Sequence, residues 1–281
     1  MKQAKVEKAP KYERHIVYKE KYGPWAVILG GSEGVGAELA QALARDGVNL
    51  LLIARRTEPL EALKRSILDQ APVEVRALAL DITAPEAADR IAAAVTDVEV
   101  GMLICNAGSG VALGAFITQD VEAQLRLVQL NITSQIRLIH HFGRRMADRQ
   151  RGAIMLISSG AGEVGTGYVA VYSASKAFQR NLAEALWFEL APHGVDVSVM
   201  MLGVTKTPQL GRKGYPVDDP DAPGADPRDV ALACLDAIGD GPVVHLNETV
   251  DIVESLKTTS RKDVIRFLSE RAGKVLGNKP K

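Results

Sequence analysis

Tyr172 and Lys176 stand four residues apart, so on a helix they share one face about a turn from each other. That pair can move a proton. A phenol has a reference pKa of about 10, too weak an acid near neutrality unless its anion is stabilised. The ammonium of Lys176 can supply that stabilisation. Upstream, Ser158 and Ser159 close an apolar run. A hydroxyl there can hydrogen-bond a substrate oxygen and steady the alkoxide that develops on it.

A second group of residues suits a phosphate. Gly30-Gly31-Ser32-Glu33-Gly34-Val35-Gly36 follows the first apolar run and opens a helical pattern. A strand, a glycine turn and a helix N-terminus present backbone N–H groups and a positive dipole end to a pyrophosphate. Gly30 permits the tight turn, while Gly34 and Gly36 allow close approach of a dinucleotide and of the neighbouring strand. The spacing is G-x-x-x-G-x-G, not the commoner G-x-G-x-x-G. After the second apolar run comes Ala54-Arg55-Arg56. An acidic residue at that strand end would bind the ribose hydroxyls of NAD and repel a 2′-phosphate. Ala54 occupies that place, and Arg55 follows with a guanidinium suited to a phosphate. NADP(H) is therefore the expected cofactor and NAD(H) the alternative, with the charge of Glu33 opposing the phosphate. An oxidised nicotinamide would add its positive charge to that of Lys176 beside the phenol.

Each feature has a plain structural use when it stands alone. Tyr-x-x-x-Lys is commonly a solvated helix face, and Ser-Ser after an apolar run commonly caps a helix or makes a turn. It is their conjunction that favours catalysis.

The elements that must position these residues follow from the apolar pattern. Short apolar runs at 25–29, 48–54, 75–80, 101–105, 153–157, 196–202 and 243–246 alternate with amphipathic stretches such as Val35, Leu39, Ala42 and Leu43. Strands apolar on both faces imply a parallel sheet covered on each side, hence an α/β, doubly wound Rossmann fold in one domain. The spacing predicts a long helix from Gln119 to about Arg149 and two surface helices at 250–257 and 261–275. Residues 1–22 read as a polar arm, 23–249 as the catalytic body and 250–281 as a helical extension. The Pro- and Gly-rich stretch 208–227 reads as a structureless lid over the site.

On these motifs the sequence resembles the short-chain dehydrogenase/reductase family, over roughly residues 25–207. The family's T-G-x-x-x-G-x-G is matched with Leu29 in place of the threonine. Its serine precedes its tyrosine by about thirteen residues, which selects Ser159 over Ser158. The resemblance implies that Asp81-Ile82 binds the adenine and that Asn106-Ala107-Gly108, after Cys105, stands for the family's N-N-A-G. It implies that Asn131 is an active-site asparagine holding a water that links Lys176 to solvent. Lys176 would also hydrogen-bond the nicotinamide ribose. Gly203, Thr205 and Thr207 resemble the family's P-G-x-V-x-T, with Leu202 in place of proline. Within the family, the chain looks like the branch holding 17-beta-hydroxysteroid dehydrogenases and long-chain 3-ketoacyl reductases. The substrate would be a hydrophobic ketone or secondary alcohol. Relatives assemble as homodimers or homotetramers through helices matching 119–149 and 172–191.

Composition narrows the alternatives. Lys and Arg balance Asp and Glu at 34 each, which argues against nucleic acid or an anionic membrane surface as the main partner. No apolar run approaches the roughly 20 residues of a membrane span, and the first twenty residues lack a secretory h-region. Cys105 and Cys234 read as separate buried thiols and no spacing suggests a metal site, so a cytoplasmic protein is expected.

Overall fold

The computed structural model describes residues 17–108 and 114–275. Seven parallel strands form one sheet: β1 (Trp25–Leu29), β2 (Asn49–Ala54), β3 (Val75–Ala79), β4 (Val100–Cys105), β5 (Gly152–Ser159), β6 (Val195–Leu202) and β7 (Val243–His245). Their spatial order is β3-β2-β1-β4-β5-β6-β7. Every apolar run expected to be a strand is one, within two residues at either end.

Alternation along β1 shows why the sheet is covered twice. Ala26 and Ile28 point into one apolar layer, and Trp25, Val27 and Leu29 into the other. The first layer is closed by α2 (Gly34–Arg45), α3 (Thr57–Leu68) and α9 (Pro227–Asp236). The second is closed by α4 (Ala87–Ala93), α6 (Ser134–Asp148) and α7 (Ala170–Leu190). Because the strand order reverses between β1 and β4, a crevice opens at their C-terminal ends. The glycine turn follows β1 and Asn106 follows β4, so both reach that crevice.

Three expectations are amended. The long helix is interrupted: α5 (Val121–Val128) passes through a π-helical turn, Gln129–Thr133, before α6 begins. Asp120 caps α5, accepting from the amides of Glu122 and Ala123. A π turn inserts one residue without breaking the chain of helical bonds, so apolar spacing does not reveal it. The stretch 208–227 is not structureless. Thr207 caps a short helix, α8 (Pro208–Gly211), Thr205 and Ala225 pair as a parallel bridge, and Pro227 opens α9 behind the Asp226 cap. Two of the prolines thus start helices, where a missing N–H costs nothing.

The third concerns the polar arm. Its residues 1–16 lie outside the described residues, but Tyr18–Tyr22 forms a helix, α1, with both tyrosines buried. The Tyr22 hydroxyl donates to Asp196 Oδ2 (2.8 Å) and Lys21 pairs with the same carboxylate (2.9 Å). At the other end, α10 (Thr249–Thr258) and α11 (Arg261–Val275) occupy the two segments expected to be helical. They do more than cover the surface, because Ile252, Leu268 and Ala272 form part of the crevice wall.

Candidate active site

The crevice is a cavity of about 870 Å³, at the upper end of the range for ligand sites. One end of it is built on the glycine turn. Gly34 has φ +56°, and a Cβ there would lie 2.9 Å from Thr207. A Cβ on Gly36 would come within 2.2 Å of the Gly30 carbonyl oxygen. Only glycine lets α2 start so close to the turn. Asn106 Nδ2 donates to that same Gly30 oxygen (2.8 Å), and the Gly30 amide donates to the Ile53 carbonyl (2.8 Å). Glu33, at the N-cap of α2, does not cap it. The first amides of a twelve-residue helix are thus left facing the cavity, alongside Gly34 and Val35. Narrow backbone approach, uncapped amides and ample volume fit a pyrophosphate-bearing dinucleotide.

The rim beside the turn is cationic. Arg55 lines the cavity and, among the described residues, makes no hydrogen bond or ion pair. The Glu33 carboxylate is held by Arg56 (2.6 Å) and by both terminal nitrogens of Arg212. The hydrogen bond from Arg212, followed by the charges of Arg212 and Arg56, keeps Glu33 below the usual carboxylate range against the opposing effect of burial. Arg212 comes from the stretch after α8, so it straps that segment to the glycine turn.

At the other end, Ser159, Tyr172 and Lys176 converge on the cavity. Burial pushes the Tyr172 phenol up from its ordinary value, while a hydrogen bond with Ser159 pulls it back. Lys176 is 4% exposed. Its Nζ lies 5.7 Å from the centre of the Tyr172 ring and donates to the carbonyl of Ile157 (3.0 Å) and to Gln179 Oε1 (2.9 Å). Burial brings its pKa down to about 8, still cationic at neutrality.

Almost every residue singled out by sequence lies on this one cavity: Gly30, Ser32, Glu33, Gly34, Val35, Arg55, Arg56, Asp81, Ile82, Asn106, Ala107, Gly108, Ser159, Tyr172, Lys176, Gly203, Thr205 and Thr207. Two are not on its wall. Gly36 faces the turn instead. Asn131 is fully buried behind Gly108, with its Oδ1 3.6 Å from where a Gly108 Cβ would be, and its Nδ2 donates to Ser175 Oγ (3.0 Å). Ser175 Oγ in turn donates to the Tyr172 carbonyl (2.7 Å). The π turn therefore aims Asn131 at the backbone that carries Tyr172.

Sequence reasoning missed several residues. Gln135 and Gln179 are buried beside Asn131 and Lys176, one helical turn from each, a spacing that does not tell a buried glutamine from an exposed one. Glu248 accepts a hydrogen bond from the Val204 amide (2.7 Å) on the cavity wall. Glu163, between Ser159 and Tyr172 in the chain, is a buried anchor. Its carboxylate holds His245 on β7 (2.9 Å) and Arg180 on α7 (2.6 Å), and its carbonyl accepts from Arg261 on α11 (3.1 Å). Burial raises its pKa, but His245 and Arg180 outweigh that and leave it lowered.

A group whose folded pKa is depressed stabilises the fold above its unfolded value, and that stability is lost as pH falls through the folded pKa. Glu163→Gln should lower Tm by about 3–8 °C near pH 7.5, since it weakens the charge-assisted bonds from His245 on β7 and Arg180 on α7 and leaves the backbone bond from Arg261 intact. The gap to wild type should close below the ordinary carboxylate value of about 4.3. Thermal melts at pH 7.5 and about pH 3 check this, because the loss is completed only as pH falls through the lowered folded pKa; equal melting at pH 7.5 would contradict the anchoring role.

The parallel sheet with a glycine turn at its switch point is the architecture of nucleotide-dependent oxidoreductases. The sequence profile described as short chain dehydrogenase matches residues 24–215, and the chain belongs to that family. It is 33% identical to a 7beta-hydroxysteroid dehydrogenase of Clostridium sardiniense, over 80% of this chain and 83% of that protein. It is 35% identical to a very-long-chain 3-oxoacyl-CoA reductase of Podospora anserina, over 64% of this chain and 54% of the relative. A solved structure of a 7beta-hydroxysteroid dehydrogenase superposes with TM-score 0.81 at 29% identity, covering 89% of this chain and 98% of that one. A short-chain dehydrogenase from Sphingobium yanoikuyae, in complex with NADPH, gives 0.73 at 31% identity, covering 83% and 93%.

Proposed function

We propose that the protein is an NADP(H)-dependent oxidoreductase that interconverts a carbonyl and a secondary alcohol on a hydrophobic substrate, with Tyr172 as the general acid and base. The observation that carries this reading is the convergence of Tyr172, Ser159 and Lys176 on the cavity that also holds the glycine turn.

The nicotinamide, when bound, supplies or accepts the hydride. The chain's own residues handle the oxygen. Ser159 is placed to hold the substrate oxygen beside Tyr172. In the reducing direction the Tyr172 hydroxyl gives its proton to that oxygen as it becomes an alkoxide, and in the oxidising direction the phenolate takes it back. The Lys176 ammonium stabilises the phenolate left behind. Gly30, Ser32, Gly34 and Val35 would cradle the pyrophosphate, Asp81 and Ile82 the adenine, and Arg55 the 2′-phosphate. Asn106, Ala107 and Gly108 would flank the ribose, with Gly203, Thr205 and Thr207 beside the carboxamide.

Ile252, Leu268 and Ala272 on the wall support a substrate with an extended apolar body, as do the relatives named for steroid and long acyl substrates. Reduction of a panel of ketones, from small polar to steroid and 3-oxoacyl, with NADPH and NADH in parallel tests the reading. Turnover confined to small polar ketones would overturn the substrate class, and no turnover anywhere would overturn the enzyme.

Exposed apolar side chains on the helices expected to assemble support a homodimer or homotetramer: Leu125 on α5, Ile136 on α6, and Phe178, Trp187 and Phe188 on α7. Buried free thiols at Cys105 and Cys234 suit a cytoplasmic setting. No helix among the described residues is long and apolar enough to cross a membrane. The strap from Arg212 to Glu33 supports a lid role for 208–227. With NADPH and substrate bound, amides of that stretch should exchange more slowly than in the free protein, because closure excludes water. Equal exchange by mass spectrometry in both states would refute the lid.

A further inference from the structure

Two glutamines that no family motif accounts for lie at the heart of the site. Gln135 and Gln179 are 2% and 1% exposed, on facing sides of α6 and α7. Burying two amides is costly unless every donor and acceptor finds a partner, and here the partners form a directed chain. Gln135 Nε2 donates to the Ala107 carbonyl (3.1 Å). Gln179 Nε2 donates to Gln135 Oε1 (2.7 Å) and to the Asn131 carbonyl (3.3 Å). Gln179 Oε1 then accepts from Lys176 Nζ (2.9 Å). The orientation of each amide is forced. Backbone carbonyls at Ala107 and Asn131 only accept, so both side chains must turn their NH2 groups towards them. That leaves the Gln179 oxygen facing the ammonium.

An ammonium has three donors. The Ile157 carbonyl fixes one and Gln179 a second, so the third has one direction left. We propose that Gln179, oriented by Gln135, is a positioning residue that fixes the Lys176 ammonium against Tyr172 by bridging it directly to Asn131. This rests on the reading of Tyr172 and Lys176 as the proton-transfer pair. The bridge is a side-chain amide between Lys176 and Asn131, where the family resemblance implied a water. A carboxamide holds its partners but does not pass protons readily, so this chain orients the lysine more than it recharges it. The other titratable group facing Lys176 is the Cys105 thiol on β4, which burial pushes up to about 12 and keeps neutral.

The test replaces both amides together. Leucine keeps the volume of each glutamine, but the Ala107 and Asn131 carbonyls and one Lys176 donor lose a partner. Gln135→Leu/Gln179→Leu should therefore melt several degrees below wild type while remaining folded at assay temperature. Its kcat should nevertheless fall about ten- to a hundredfold with KM little changed, the effect of losing one charge-assisted bond. The tyrosinate absorbance of Tyr172, taken as the difference from a Tyr172→Phe background without cofactor, should titrate about one pH unit higher, a tenfold change in phenol ionisation. If the double variant fails to fold, Gln179→Glu keeps an acceptor on Lys176 and adds a negative charge. That charge raises the pKa of both Lys176 and Tyr172, so the basic limb of the pH–rate profile for ketone reduction should move to higher pH. Wild-type kcat and an unmoved phenol titration in the double variant would overturn the proposal, as would an unmoved profile for Gln179→Glu. Lys176→Met separates the two claims. If it retains turnover, the site reading fails; if it is inactive while the glutamine variants behave as wild type, only the positioning role fails.

Discussion

Tyr172→Phe is expected to lower turnover by about 10²–10⁴-fold, the usual contribution of a general acid, while NADPH affinity stays close to wild type. The substitution removes one hydroxyl and keeps the ring. Lys176 retains its bonds to the Ile157 carbonyl and Gln179, and Asn131 its bond to Ser175, so the surrounding geometry does not depend on the lost atom. Ser159 loses a partner but is only half-buried and can be solvated. The glycine turn and Arg55 lie at the other end of the cavity and are untouched. Steady-state rates with the best ketone, set beside a cofactor fluorescence titration, give both quantities. An interaction made only in the transition state lowers kcat and kcat/KM equally. A variant with near-normal kcat would sink the mechanism, and one that fails to bind NADPH would show instead that the hydroxyl holds the cofactor.

Much of this site was legible because its residues sit at the ends of strands. Parallel strands buried on both faces leave a strong apolar signal, and β1, β4, β5 and β6 each deliver polar or glycine residues to the crevice directly after that signal ends. Gly30, Asn106, Ser159 and Gly203 are found in that way. What stayed hidden is set by contacts between distant segments. The π turn shifts Asn131 by one residue within an unbroken helical pattern. Arg212 meets Glu33 from 179 residues further along the chain, and Glu163 finds His245 and Arg180 on two other elements. The glutamine chain needs α6 and α7 to be packed before either amide has a partner. Periodicity carries no information about such pairings, since a buried glutamine and a surface glutamine have the same spacing.

The cofactor choice depends on charge at the rim. The 2′-phosphate of NADP carries close to two negative charges, and Arg55 can meet it with paired, charge-assisted hydrogen bonds. Glu33 would oppose it if its carboxylate were free. In the structure it is held by Arg56 and Arg212, so two guanidiniums share one carboxylate, Arg55 adds a third charge beside them, and the rim stays cationic. Hydrogen bonds to charged groups contribute roughly 1.5–3 kcal/mol, about ten- to a hundredfold in affinity. Arg55 is exposed, so the lower end is the better expectation for its removal alone. Ala54 sits half-buried at the C-terminal end of β2 on the cavity wall. Ala54→Asp combined with Arg55→Ala would remove the attraction and set a carboxylate where the phosphate must lie, while offering an acceptor to the ribose hydroxyls of NAD. The double variant should lose a hundredfold or more in kcat/KM for NADPH, combining about tenfold from the arginine with a similar or larger penalty from charge repulsion. For NADH, kcat/KM should fall little or rise. Adding salt should narrow the wild-type preference, since exposed charges are screened over about 8–10 Å. Parallel kcat/KM measurements with the two cofactors decide the matter. A wild type that prefers NADH, or a double variant that keeps its NADPH preference, would reduce Arg55 to a surface charge.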